Sequence, residues 1–339
     1  MSTTIMKKFL FIIVCVLCLN MQFTSCSFNK GLDFPIDEIL TPELMPLYGL
    51  TYPYRIDIKH PFMYLQNDDK LKDSLFHIYD LKTGHLKCAF GTIGEGPNDF
   101  ILPTMIPTYL PYLIVKDKDE FRLFNIDKEG QMSFMKNLIP QYTYNISQAT
   151  FINDTLFAVD AMYMGPNINI CSINDEMPKK QWEYRNPNLM DYYMDMNKGK
   201  VYANKDRIVF CYEMKKQIDF MDTDFNLIKR VRFDDYDEPL EVNQNPGDER
   251  NSYIYSFLGN KYLYTMFLGT TWNEDKARNT CGYHIEVFDL NGNPIARYQM
   301  NGRRPLFFAV DEKTFTLYGP GCQGNPEDHL LVYKLKELE

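Results

Sequence analysis

The chain has 339 residues, 45 acidic against 36 basic, for a formal net charge of −9. An acid excess of this size excludes nucleic acid as a partner, because nothing would replace the phosphate counterions. Tyr and Phe number 24 each and long Ala/Leu/Glu/Lys runs are missing, so the composition favours a β-rich globular body.

Residues 1–25 read as a signal peptide, with Lys7 and Lys8, the apolar run Phe9 to Leu19 and a short polar stretch ahead of Cys26. That run is 11 residues, too short for a helix crossing a ~30 Å hydrocarbon core. Thr24-Ser25-Cys26 resembles the lipobox of bacterial lipoproteins, in which the cysteine is acylated and becomes the new N-terminus. Phe23 stands where Leu is usual, which leaves open an ordinary secreted protein with an incidental Cys26. The resemblance implies lipidation at Cys26, a short tether over 26–33 and attachment to the outer membrane through the lipid alone. In Bacteroidetes lipoproteins an acidic run after the cysteine resembles a surface-export signal, and Ser27-Phe28-Asn29-Lys30 has no acid, so the resemblance favours the periplasmic side. Cleavage removes Lys7 and Lys8 and takes the charge to −11. Cys15 and Cys18 have CxxC spacing but lie inside the signal. Besides Cys26, the mature chain keeps Cys88, Cys171, Cys211, Cys281 and Cys322, an odd and widely spaced set that describes no disulfide framework and leaves one pair open in an oxidising periplasm.

From Leu75 onward one plan recurs: an alternating apolar run, a polar turn, then a second alternating run. It appears at 75–90, 121–135, 168–182, 218–233 and 283–300, and 330–339 carries its first half. In the fifth copy Asn291-Gly292 suggests a type I′ hairpin turn. Tyr79, Phe124, Cys171, Phe220, Phe288 and Tyr333 mark the copies, in steps of 45, 47, 49, 68 and 45 residues. A near-constant period with about four short strands per unit is the pattern of propeller blades. The expectation is therefore an all-β, six-bladed β-propeller of four-stranded antiparallel blades over 34–339. A β-sandwich or two smaller β domains is the alternative. Too little chain follows Tyr333 for a turn and an outer strand, so a strand from within Gly31 to Tyr48 should complete the last blade rather than leave a bare edge.

Directly after the first hairpin comes Phe90-Gly-Thr-Ile-Gly-Glu-Gly-Pro-Asn-Asp-Phe100. This motif, the period and the lipoprotein signal together resemble the TolB-like or NHL-like six-bladed propeller lipoproteins of Bacteroidetes. Gly94-Glu95-Gly96-Pro97-Asn98-Asp99-Phe100 has the family's shape, with Asn98 where a second glycine is common. The resemblance spans the mature chain and implies a fold but little about activity.

The same stretch is a poor phosphate cradle, since Pro97 removes a donor and the proline-punctuated 101–115 cannot supply a long helix. No HExxH, GxSxG or P-loop motif occurs, and His60, His77, His85, His284 and His329 are scattered, so neither a metal nor a cofactor is expected. Asp222-x-Asp224-x-Asn226 opens like a calcium loop, but Leu227 and Phe233 occupy the Gly and Glu positions, which makes it a polar hairpin turn. Asp73-Ser74-Leu75 and Asp154-Thr155-Leu156 resemble the O-glycosylation acceptor of Bacteroidetes at Ser74 and Thr155.

In a propeller the blade-to-blade links and the loops between second and third strands emerge together, and their length makes that face the candidate for binding. The candidate residues there are Glu95, Asp99, Tyr236, Arg250, Trp272, Glu274 and Arg278, with an aromatic, cations and carboxylates suited to a glycan or peptide. The expected role is a binding or scaffolding module for a glycan, peptide or envelope protein. The rival is a propeller hydrolase or lyase using carboxylates at the channel mouth, which would need them to converge within ~5 to 9 Å.

Overall fold

The computed structural model describes residues 33–339 except 50–52, 68–73, 97, 142–148, 161–166, 187, 189–194, 233–244, 246–247, 249, 272, 275–282, 303, 322–328 and 339. Cys26, Tyr236, Trp272, Arg278, Cys281 and Cys322 lie outside the described residues.

Two strands precede the blades, β1 (Ile36–Leu40) and β2 (Glu43–Pro46). Blade 1 is β3 (Pro53–Lys59), β4 (Phe62–Asn67), β5 (Phe76–Asp80) and β6 (Leu86–Phe90). Blade 2 is β7 (Pro103–Ile106), β8 (Leu113–Asp117), β9 (Glu120–Ile126) and β10 (Met132–Leu138). Blade 3 is β11 (Thr150–Phe151), β12 (Leu156–Asp160), β13 (Asn167–Ser172) and β14 (Lys180–Glu183). Blade 4 is β15 (Gly199–Ala203), β16 (Ile208–Tyr212), β17 (Gln217–Met221) and β18 (Leu227–Arg232). Blade 5 is β19 (Arg250–Leu258), β20 (Tyr262–Thr271), β21 (His284–Asp289) and β22 (Pro294–Met300). Blade 6 has β23 (Ala309–Asp311), β24 (Thr316–Pro320) and β25 (His329–Lys334).

Each blade is an antiparallel meander, and the six together form a six-bladed β-propeller. All six marker residues sit on the third strand of their blade. Blade 6 is completed by β2, antiparallel to β25 with Glu43 opposite Val332 and Pro46 opposite His329. Unforeseen in the sequence, β1 adds a fifth, parallel strand to blade 5, with Ile36 opposite Ala296 and Leu40 opposite Met300.

Middle strands lie between neighbouring blades, so both of their faces are covered. Ile208–Tyr212 and Gln217–Met221 are buried throughout, whereas the outer strand Leu227–Arg232 is largely exposed. Aromatic side chains fill the seams. Phe90 meets Phe124 at 5.4 Å, Phe121 meets Phe151 at 5.0 Å, and Tyr184 meets Phe210 at 4.6 Å between ring centres. Phe220 meets Phe288 at 6.2 Å and Tyr255 meets Phe307 at 6.3 Å. Such a pair contributes about 0.5–1.5 kcal/mol beyond its buried area. Cys171 and Cys211 are buried and free, and burial pushes both thiols up to about 12.

The hairpin at Asn291-Gly292 departs from the type I′ expectation. Gly292 has φ +77° but Asn291 is not left-handed, and the register slips between Val287 and Phe288. This is a type I turn with a bulged glycine. Asp289 selects it, because its Oδ1 accepts from the Asn291 and Asn293 amides at 2.8 Å each. Asp127 repeats the device on Glu129 and Gln131, with Gly130 at φ +85°. Asp222 repeats it on Asp224 and Asn226, so the calcium-like triplet is a hairpin turn as read.

Candidate functional site

The link between β6 and β7 holds the glycine-rich stretch, and Asp99 bonds back onto its own loop. The Gly96 amide donates to Asp99 Oδ2 at 2.9 Å, and the Thr92 hydroxyl donates to Asp99 Oδ1. Those two donors hold the Asp99 carboxyl below its ordinary range. A Cβ at Gly94 or Gly96 would stand 2.3 or 2.7 Å from the Asp99 carboxylate, so the glycines make room for Asp99 itself. The Asp99 carbonyl accepts from Arg122 Nη1 at 2.7 Å, and the Arg122 guanidinium lies 4.8 Å from the Phe100 ring centre. Asp117 holds Arg122 at 2.9 Å and caps the Ile101 and Leu102 amides, which completes the clamp.

Glu95 is exposed on the same link. Arg250 opens β19 opposite Thr271, and Glu274 receives the Thr271 amide at 3.1 Å. Arg250 and Glu274 are thus gathered at one place, and Glu95 and Asp99 at another. Ser74 is half-buried just before β5. Thr155 is exposed in the turn between β11 and β12, where its hydroxyl donates to Asn153 at 3.1 Å.

A roomier space lies elsewhere. A cavity of about 760 Å³ occupies the channel and reaches the end where first and second strands of each blade join. Its lining includes Arg55, Lys59 and His60 from blade 1, Thr108 from blade 2, Thr150 from blade 3, Lys200 and Tyr202 from blade 4, Tyr255 and Asn260 from blade 5, and Asp311 and Glu312 from blade 6. None of Glu95, Asp99, Arg250 and Glu274 lines it.

Short-range bonds cross all six seams at that end. Thr108 donates its amide to Asp57 at 3.3 Å and accepts from Lys59 at its carbonyl, joining blades 1 and 2. The Tyr109 hydroxyl donates to the Ile152 carbonyl at 2.6 Å, and the Ala203 amide donates to Thr150 at 2.9 Å. Lys200 donates to the Ile254 carbonyl at 3.1 Å, and Asn204 donates to the Gly259 carbonyl at 2.8 Å. The Asn260 amide donates to Glu312 at 2.8 Å. His60 meets Asp311 at 2.9 Å across the junction of blades 6 and 1.

Residues 40–313 match the TolB-like six-blade propeller family. The chain belongs to this family. Among solved structures it is similar to a Bacteroides fragilis protein described as a candidate exported protein, at 12% identity over 88% of this chain and 98% of that one, with a TM-score of 0.55. It is also similar to a member of the DUF4221 family from Bacteroides vulgatus, at 12% identity over 88% and 97% of the two chains, with a TM-score of 0.53. Both likenesses concern the fold. No curated protein matches the chain.

In this TolB-like propeller each carboxylate lining the cavity, and Asp57 just behind it, has a partner from the chain. Asp57 is buried and paired with Lys59 at 2.8 Å. Burial raises its carboxyl, and Lys59 pulls it back. Glu312 is raised by burial too, against the amides of Asn260, Lys261 and Tyr262. Burial pushes the Tyr255 phenol up to about 12, with Arg55 opposing the shift, which keeps it a neutral hydroxyl. Among the described residues no group of three or more His, Cys, Asp and Glu could hold a metal ion. Charged side chains at strand ends could have been ranked from the sequence, but their convergence on one channel could not.

Proposed function

We propose that the protein is a cell-envelope lipoprotein, anchored through Cys26 to the outer membrane on its periplasmic side, whose propeller binds a glycan, peptide or protein partner in the channel cavity. The observation that supports this reading most is the cavity itself. Its volume suits a small ligand or the tip of a larger one, its walls are tied together at every seam, and its carboxylates are already engaged. A preorganised wall spends little ordering entropy when a ligand enters.

A glycan and peptide array probed with the mature chain tests the binding role. Leu306 lines the cavity yet is 51% exposed, so Leu306→Trp narrows the cavity without disturbing a packed contact. Loss of array signal in Leu306→Trp supports the reading, and an undiminished signal places binding elsewhere. For the anchor, palmitate labelling at Cys26 that globomycin prevents is the expected result, and an unlabelled chain overturns it.

A further inference from the structure

Building on the channel reading, we propose that the cavity receives a small organic carboxylate, whose two oxygens are taken by the Arg55 guanidinium while its body lies against Tyr202, Tyr255 and Phe257. The cavity departs in charge from the rest of the molecule. Its lining carries Arg55, Lys59, Lys200 and Lys313 against Asp311 and Glu312, with Asp57 directly behind, although the whole chain is strongly acidic.

Three of those cations are accounted for. Lys59 is spent on Asp57 and the Thr108 carbonyl. Lys200 is spent on the Ile254 carbonyl and on Glu213 at 3.3 Å. Lys313 sits exposed at the rim. Arg55 is the exception. It is half-buried, its Nε is shut off from solvent with no acceptor, and among the described residues no carboxylate or carbonyl answers it. Its neighbours are aromatic: the Tyr54 ring lies 5.9 Å from the guanidinium carbon, and the Tyr255 phenol is close enough to feel its charge.

A guanidinium N–H shut off from water without an acceptor is destabilising, so an Arg left in that state is a local violation of the kind that marks functional sites. The backbone beneath it is irregular as well. The register of β3 on β4 slips between Pro53 and Arg55, and that of β19 on β20 slips twice before Tyr255. Bulges of this sort re-aim side chains, and here they bring Arg55 and Tyr255 to the same cavity. A planar guanidinium fork matches a carboxylate bidentately. The charge count selects a monoanion over a phosphate dianion, because only one inward cation lacks a counter-charge.

The test uses the full chain in detergent and three probe sets of matched shape: phenylacetate, phenylacetamide and benzyl phosphate; hippurate and its amide; glucuronate and its methyl ester. Affinities come from ligand-observed NMR, with the Arg55 Nε–Hε signal as a second readout. At least one carboxylate should bind ten-fold or more tighter than its neutral partner and shift the Arg55 signal. Arg55→Met should abolish that preference, Arg55→Lys should retain part of it, and unliganded Arg55→Met should melt no lower than the wild type. Equal binding of acid and neutral partner, blocked by Leu306→Trp, overturns the carboxylate assignment and leaves the channel as a binding site. Tightest binding by benzyl phosphate also overturns it. If no probe binds, the carboxylate assignment falls and the array alone decides the channel reading; if probes bind but ignore Leu306→Trp, the carboxylate assignment falls with its placement in the channel. A marked loss of unliganded stability in Arg55→Met would make Arg55 a structural residue and end the proposal.

Discussion

The two ends of the channel treat their polar groups differently. At the link end, the connection between blades 1 and 2 closes on itself: Asp99 is consumed by Thr92 and Gly96 of its own loop, and Glu274 by Thr271 three residues away. At the hairpin end most connections are short, as between Lys59 and Phe62 or between Leu258 and Tyr262, with the longer link from Ile106 to Leu113 as the exception. A short turn has little chain with which to satisfy its own donors and acceptors, and buried polar groups must be paired. Those turns therefore reach the next blade, and the ring of bonds that results makes a firm wall around the space. Loop length shows where the chain is irregular, while the shortness of the opposite turns explains where the cavity is held open.

Substitutions can break this comparison. The largest effect should come from Asp57→Ala, which strands Lys59 beside a buried vacancy at the hairpin end, with a loss of about 3 kcal/mol in urea unfolding. A loss under about 1 kcal/mol would mean that the seam bonds do not stiffen that end. Next, Gly94→Ala should cost about 1–2 kcal/mol by driving a methyl group into the Asp99 carboxylate, and Gly94→Ala combined with Asp99→Ala should recover part of it. Asp99→Asn alone should act through pH. Its native carboxyl is held below the ordinary 3.8, so the stability it supplies is present above that value and lost as pH falls through the lower native one. The wild type should therefore lose stability on acidification below about pH 4 more steeply than Asp99→Asn. Smallest of all, Glu95→Gln and Glu274→Gln should leave both melting and array binding within error, and a clear loss of binding in either would return the site to the link end.

Much of the architecture was legible in the sequence. The third-strand markers Tyr79 to Tyr333 counted the blades, and the short tail after Tyr333 called for the closing strand that β2 provides. These features are local or periodic, and periodicity survives in one dimension. The parallel β1 on blade 5 was not legible, because Ile36–Leu40 carries no sign of which distant edge it will join. The turn at Asn291 differs for a local reason: the Asn-Gly pair favours type I′, but the carboxylate of Asp289 two residues earlier selects the other turn. Of the candidate site residues, Asp99 and Glu274 are held within their own loops.

By itself, then, the sequence determined a repeat of six strand-rich units and the need to close them, since hydrophobic alternation and turn chemistry act over a few residues. The tertiary structure alone decided where the space lies and which charge remains unanswered in it. Arg55, Lys59, Lys200 and Lys313 look alike as basic residues in a list, and only the packing of six inner strands around one axis neutralises two, leaves one at the rim and holds Arg55 facing the cavity.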